Sequence, residues 1–180
     1  MRVKIIASMA SALALVLAAG TAGAQGMGHE APKDCSLVRV ALPPELAGWS
    51  DRAPASAAKD AKGLKKAGLT IGKAVDARLV RTADVRYVLR PEKPGGSVSY
   101  GGLFGFSVRE AGTYRIALGA GAWVDVVRDG KAVVSTSHGH GPDCSDVRKM
   151  VDFPLTPGRY VLQLSANGSE SLPVAVVRLP

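Results

Sequence analysis

The chain has 180 residues, a formal charge of +8, two cysteines and only 5% aromatic residues. That length fits one domain able to bury its own core. So few aromatics among the basic residues argue against a nucleic-acid surface, which needs rings for base stacking, and the distance between the cysteines excludes a CxxC redox motif.

The first residues read as a secretory signal. Arg2 and Lys4 form a basic start, Ile5 to Ala19 an apolar stretch, and Ala22-Gly23-Ala24 a small-residue cleavage site. The apolar stretch is short for a membrane span and is followed by small and polar residues. This predicts cleavage after Ala24, a mature chain of residues 25–180, and a periplasmic or secreted location without a membrane span. Loss of Arg2 and Lys4 takes the formal charge from +8 to +6. Many of the remaining cations fall at Lys59, Lys62, Lys65, Lys66, Lys73, Arg78, Arg81, Arg86 and Arg90. Such a face can attract anionic envelope surfaces or acidic ligands; its plainest reading is a solvated, basic surface.

Residues 25–68 read as an extended arm and loop. Pro43-Pro44 and Pro54 interrupt regular structure, and an Ala/Lys-rich run predicts a helical turn near Ala57–Lys66. Trp49 is expected to anchor the arm on the body. In an oxidising compartment Cys35 and Cys144 most simply pair. The bridge would close a loop of about 110 residues, with an upper stabilisation of ~4–5 kcal/mol in the chain-entropy model.

From Leu69 the periodicity becomes two. Val75, Ala77 and Leu79 share a face, as do Val85, Tyr87 and Leu89, then Phe104, Phe106 and Val108. The same holds for Tyr114, Ile116 and Leu118, and for Tyr160, Leu162 and Leu164. Alternation of this kind marks strands with one buried face. Asp129-Gly130 predicts a tight hairpin between Trp123–Val127 and Ala132–Ser135, and Val147–Leu155 and Pro173–Leu179 complete the set. The predicted fold is all-β: an antiparallel β-sandwich or jelly roll of roughly eight strands over residues 69–180, with an extended N-terminal arm.

The chemistry-bearing residues concentrate in His138-Gly139-His140-Gly141-Pro142-Asp143-Cys144. His138 and His140 fall on one side of an extended strand, a spacing used by metal sites. His29 precedes Cys35 by six residues, and His140 precedes Cys144 by four. Extended segments of those lengths reach at most ~20 and ~14 Å from the bridge. A Cys35–Cys144 disulfide therefore allows His29, His138 and His140 to meet and hold copper or zinc, with Met27 as a thioether donor for copper. The plainer reading is a solvated loop. No nucleophile elbow, phosphate loop or HExxH motif is present.

Ala111-Gly112-Thr113-Tyr114 and Pro157-Gly158-Arg159-Tyr160 echo each other. This Gly-x-Tyr pattern, followed by alternating apolar residues, resembles the strands of pre-peptidase C-terminal-like and carbohydrate-binding-like sandwiches over about residues 98–180. The segments Ala122–Lys131, His138–Cys144 and Lys149–Tyr160 also resemble a group of small exported bacterial proteins for which the label homogentisate 1,2-dioxygenase is in use. That label implies an iron site from His138, His140 and Asp143. The sequence departs from the cupin pattern such a site needs: only two residues separate His140 from Asp143, and no histidine follows His140. The function expected is thus a non-catalytic binding or interaction module whose partner is an envelope protein, a glycan or a metal ion. The alternative is a metal-dependent dioxygenase.

Overall fold

The computed structural model describes residues 34–36, 38 and 40–180. The predicted signal, Met27 and His29 lie outside the described residues. No helix among the described residues is long and apolar enough to cross a membrane. The chain forms a β-sandwich of two sheets. In chain order the strands are β1 (Arg52–Ser56), β2 (Ala74–Arg78), β3 (Val80–Arg81), β4 (Tyr100–Val108), β5 (Gly112–Leu118) and β6 (Trp123–Arg128). Then follow β7 (Lys131–Ala132), β8 (Ser137–Gly139), β9 (Lys149–Leu155), β10 (Gly158–Asn167) and β11 (Ser171–Arg178). One sheet has six strands in the order β1-β2-β11-β5-β9-β8; the other has five, β3-β4-β10-β6-β7.

The alternating residues fill the space between the sheets. Val75, Ala77, Phe104, Phe106, Tyr114, Ile116, Leu162 and Leu164 all belong to one buried cluster. The Asp129-Gly130 hairpin forms as expected between β6 and β7, with φ of 50° and 74° at the two turn residues. Its second strand is only two residues long.

The Gly-x-Tyr echo has a structural cause. β4 leads into β5, and β9 into β10, through short arches that carry the chain from one sheet to the other. Gly112 pairs with Leu155 and Gly158 with Val108, so the two arches sit side by side at one end of the sandwich. In each arch the tyrosine hydroxyl donates to the carbonyl four residues back. Tyr114 reaches Glu110 O at 2.8 Å, and Tyr160 reaches Thr156 O at 2.8 Å. A buried phenol thereby satisfies a turn carbonyl that no strand can reach.

The arm contributes more to the body than its composition suggests. Arg52–Ser56 forms β1, the outermost strand of the six-stranded sheet, parallel to β2. Pro54 is tolerated there because an edge strand needs ladder bonds on one side only. The helical turn appears as a 3-10 segment, Ala61–Lys66, with the Asp60 carboxylate accepting from Gly63 N. Trp49 is 1% exposed and packs with Leu46 against Ala74, Ala117, Ala175 and Val177 on the outer face of the six-stranded sheet. Small side chains there leave room for the indole, whose N–H donates to Asp146.

One predicted strand is absent. Val85–Arg90 joins neither sheet. Residues 85–98 instead run as an irregular strap fixed to the five-stranded sheet. Gln163 of β10 accepts from Leu89 N at 3.0 Å and donates to Leu89 O at 2.9 Å, replacing a neighbouring strand with a side-chain amide. Tyr87 donates to Leu164 O and Ser165 to Lys93 O.

Candidate functional site

The histidine segment lies at the open edge of the six-stranded sheet. β8 is the last strand, and His138 pairs with Val151 of β9. Both His138 and His140 are exposed. His140 Nδ1 is 3.0 Å from Arg148 O. A carbonyl only accepts, so this bond places a proton on Nδ1 and leaves Nε2 with the lone pair in the neutral ring. Such a bond is what orients a metal-ligating imidazole. Cys35 and Cys144 form the expected disulfide, with Cα atoms 5.2 Å apart. The same loop is tied to the arm a second way, through Asp146, which accepts from Trp49 and, at 3.0 Å, from Arg52. Among the described residues no three His, Cys, Asp or Glu side chains converge on a common point. His29, the third proposed ligand, lies outside them.

A second candidate lies at the arch end. A groove of about 930 Å³ has Gly105 and Ser107 of β4, Val127 of β6 and Val161 of β10 in its lining. These positions alternate with core residues Phe104, Phe106, Val126 and Leu162, which places them on the outward face of the five-stranded sheet. Leu64 and Lys65 of the 3-10 segment, Val88 of the strap and the Asp129-Gly130 turn complete this part of the lining. Gly105 lies near the backbone of the 3-10 segment. A Cβ there would stand 3.7 Å from Leu64 O, so a side chain would fit the backbone while filling the groove.

The rim is cationic. Lys65, Arg109, Arg159 and Arg178 line it, against Glu110 and Asp129. Each acid is already engaged: Arg178 lies 3.4 Å from Glu110, and Arg128 lies 3.5 Å from Asp129. Lys65, Arg109 and Arg159 are exposed and make no ion pair among the described residues. The Tyr160 phenol beside them would be raised by burial. Hydrogen bonds with Thr156 and Arg128, together with the charge of Arg128, outweigh this and hold it below its ordinary value. The Arg128 guanidinium also sits 5.4 Å from the centre of the Tyr160 ring.

Beneath the strap is a third polar group. Asp125 Oδ1 accepts from Trp123 Nε1 at 3.0 Å, while Oδ2 is buried with no hydrogen-bond partner among the described residues. Burial raises the Asp125 carboxyl, hydrogen bonds from Trp123 and Gln163 oppose the shift, and the charge of Glu92 adds to it. Lys93 and Lys149 place their ammonium groups 5.3 and 5.7 Å from the centre of the Trp123 ring. Lys149 is lowered by burial and then by Lys93. The Trp123 ring thus lies against two of the protein's own cations.

Sequence reasoning located the histidines and the basic residues but not the groove. Its lining is drawn from within 64–71, 105–114, 127–130 and 159–161, with 88 and 178, which no local spacing links. The signal available was the surplus of cations to which Lys65 belongs. No protein-family model and no curated protein matches this chain.

Proposed function

We propose that this protein is a non-catalytic binding module of an extracytoplasmic compartment, periplasmic or secreted, and that it takes its ligand in the arch-end groove. The observation that carries this reading is the groove's composition. Its walls are aliphatic, its acids are paired with neighbouring arginines, and three cations make no ion pair among the described residues. A concave apolar surface with a few convergent charges is the usual form of a binding site. The sandwich is held by a disulfide, which fits an oxidising compartment. The resemblance to carbohydrate-binding-like sandwiches points the same way.

Backbone amide shifts recorded during titration with acidic peptides, acidic sugar oligomers and metal ions test this. Ligand-dependent shifts at Gly105, Ser107, Gly130 and Val161 are expected. Shifts confined to residues 137–148 would overturn the groove reading.

A second reading, a copper or zinc site at His138 and His140 with His29, is favoured by the His140–Arg148 hydrogen bond, which leaves Nε2 as the ligating nitrogen of the neutral ring. Elemental analysis of the purified chain and of a His138→Ala/His140→Ala variant tests it. Equal metal content in the two would remove it.

A further inference from the structure

We infer that the groove's ligand is an extended peptide segment of a partner protein, carrying acidic side chains between aliphatic ones. This rests on the groove being the binding site.

The groove does not end at Val88. A smaller concavity of about 270 Å³, lined by Asp60, Ala61, Lys62, Arg86, Tyr87 and Val88, shares that residue with it. The two concavities therefore adjoin at Val88, between the 3-10 segment and the strap, and the larger lies on the outer face of the five-stranded sheet. Along them stand Arg86, Lys62, Lys65, Arg159 and Arg109, all exposed and without ion pairs among the described residues. The one acid of the smaller concavity, Asp60, is already used in capping Gly63 N at 3.1 Å. Cations strung along a cleft suit a chain with repeated negative charge better than a single small anion.

The surface between the cations selects the kind of chain. It is aliphatic: Leu64, Ile71, Val88 and Val161. A sugar ring is held best by an open aromatic face, and the aromatic residues of the larger groove, all buried, offer none. Tyr114 and Tyr160 are 2% and 3% exposed, and the hydroxyl of half-buried Tyr87 is turned onto Leu164 O. The same lack of open rings disfavours single-stranded nucleic acid. An extended peptide places successive side chains on opposite sides, so alternating acidic and aliphatic residues satisfy the rim and the floor together.

The test uses the full, disulfide-bonded chain and fluorescence anisotropy. The probe is a labelled peptide of alternating Glu and Val, compared with its Gln–Val counterpart and with labelled oligogalacturonate. The Glu–Val peptide should bind. A Lys65→Glu/Arg159→Glu variant should weaken it about tenfold or more, with loss of the salt dependence. Gly105→Val changes no charge and should also weaken it by filling the floor. Arg148→Glu, at the other end of β9, should leave it unchanged. Oligogalacturonate binding that is lost in the groove variants, with no peptide binding, would overturn the ligand class and leave the groove reading standing. Equal binding of the Gln–Val peptide would overturn the charge argument. Affinity insensitive to Lys65, Arg159 and Gly105, or equally sensitive to Arg148, would overturn both readings.

Discussion

Tyr114 and Tyr160 close equivalent arches, but they do unequal work. Tyr114 donates one hydrogen bond, to Glu110 O. Tyr160 donates to Thr156 O and also accepts from Thr156 N at 3.1 Å and Arg128 Nη1 at 3.0 Å. Removing a hydroxyl takes these part-buried bonds away, at about 0.5–3 kcal/mol in all, more where the partner is charged. Tyr114→Phe should therefore fall near the lower end and Tyr160→Phe near the upper, read as a lower urea midpoint at unchanged slope. Asp125 makes an opposite prediction. Its folded pKa is raised from 3.8, by burial first. The folded state thus holds the proton more tightly than the unfolded one. The resulting stability is fully present below the unfolded value and is lost as pH rises through the raised one. Asp125→Asn keeps an acceptor for Trp123 and removes that loss. It should stabilise the protein at neutral pH, with the advantage shrinking as pH falls toward 3.8. A thermal-melt difference independent of pH would contradict this.

At the level of elements, alternation was a sound guide wherever its apolar face met the core. Phe104/Phe106, Tyr114/Ile116 and Leu162/Leu164 all turn inward as read. The same pattern at Val85, Tyr87 and Leu89 gave no strand, because periodicity reports that one side of a segment is covered and not what covers it. Here the strap's backbone is satisfied by Gln163, a side chain on another strand, and nothing in the local sequence announces such a long-range partner. Gln163 is 1% exposed. Gln163→Leu should keep the volume but orphan Leu89 N and O, destabilising by about 1–3 kcal/mol. Amide exchange at Leu89 should speed up more than exchange in β4 or β6. Uniform acceleration would mean that the strap is not separately held. The arm was harder to read for a similar reason. The seat for Trp49 is made of Ala74, Ala117 and Ala175 on three different strands.

Across the molecule, two independent ties hold the arm to the body, and they differ in kind. The Cys35–Cys144 bridge acts chiefly by restricting the unfolded chain, whereas Trp49 acts by burial in the native one. A Cys35→Ser/Cys144→Ser variant should remain folded and lose about 2–4 kcal/mol. Trp49→Ala should lose about 3–5 kcal/mol, since it opens a cavity and strips Asp146 of a partner. Denaturant titration that ranked the two the other way would show that the arm depends on the bridge alone.

The position of the histidines in the whole sandwich also decides what chemistry to expect of them. Ring cleavage by a two-histidine, one-carboxylate iron site requires a cavity that holds the aromatic substrate and excludes water while oxygen is activated. His138 and His140 lie on the outermost strand of a sheet, both exposed, and the groove at the arch end has neither histidine in its lining. The chain also lacks a histidine after His140 to supply the second cupin motif. An imidazole pair on an edge strand can capture a metal ion from solution, but neither concavity described above has a histidine in its lining to orient a substrate. The disulfide-bonded protein supplied with iron(II) and homogentisate should therefore consume no oxygen above the buffer rate. Oxygen uptake matched by ring-opened product, and abolished by His138→Ala, would overturn this and would require the edge to close on its substrate.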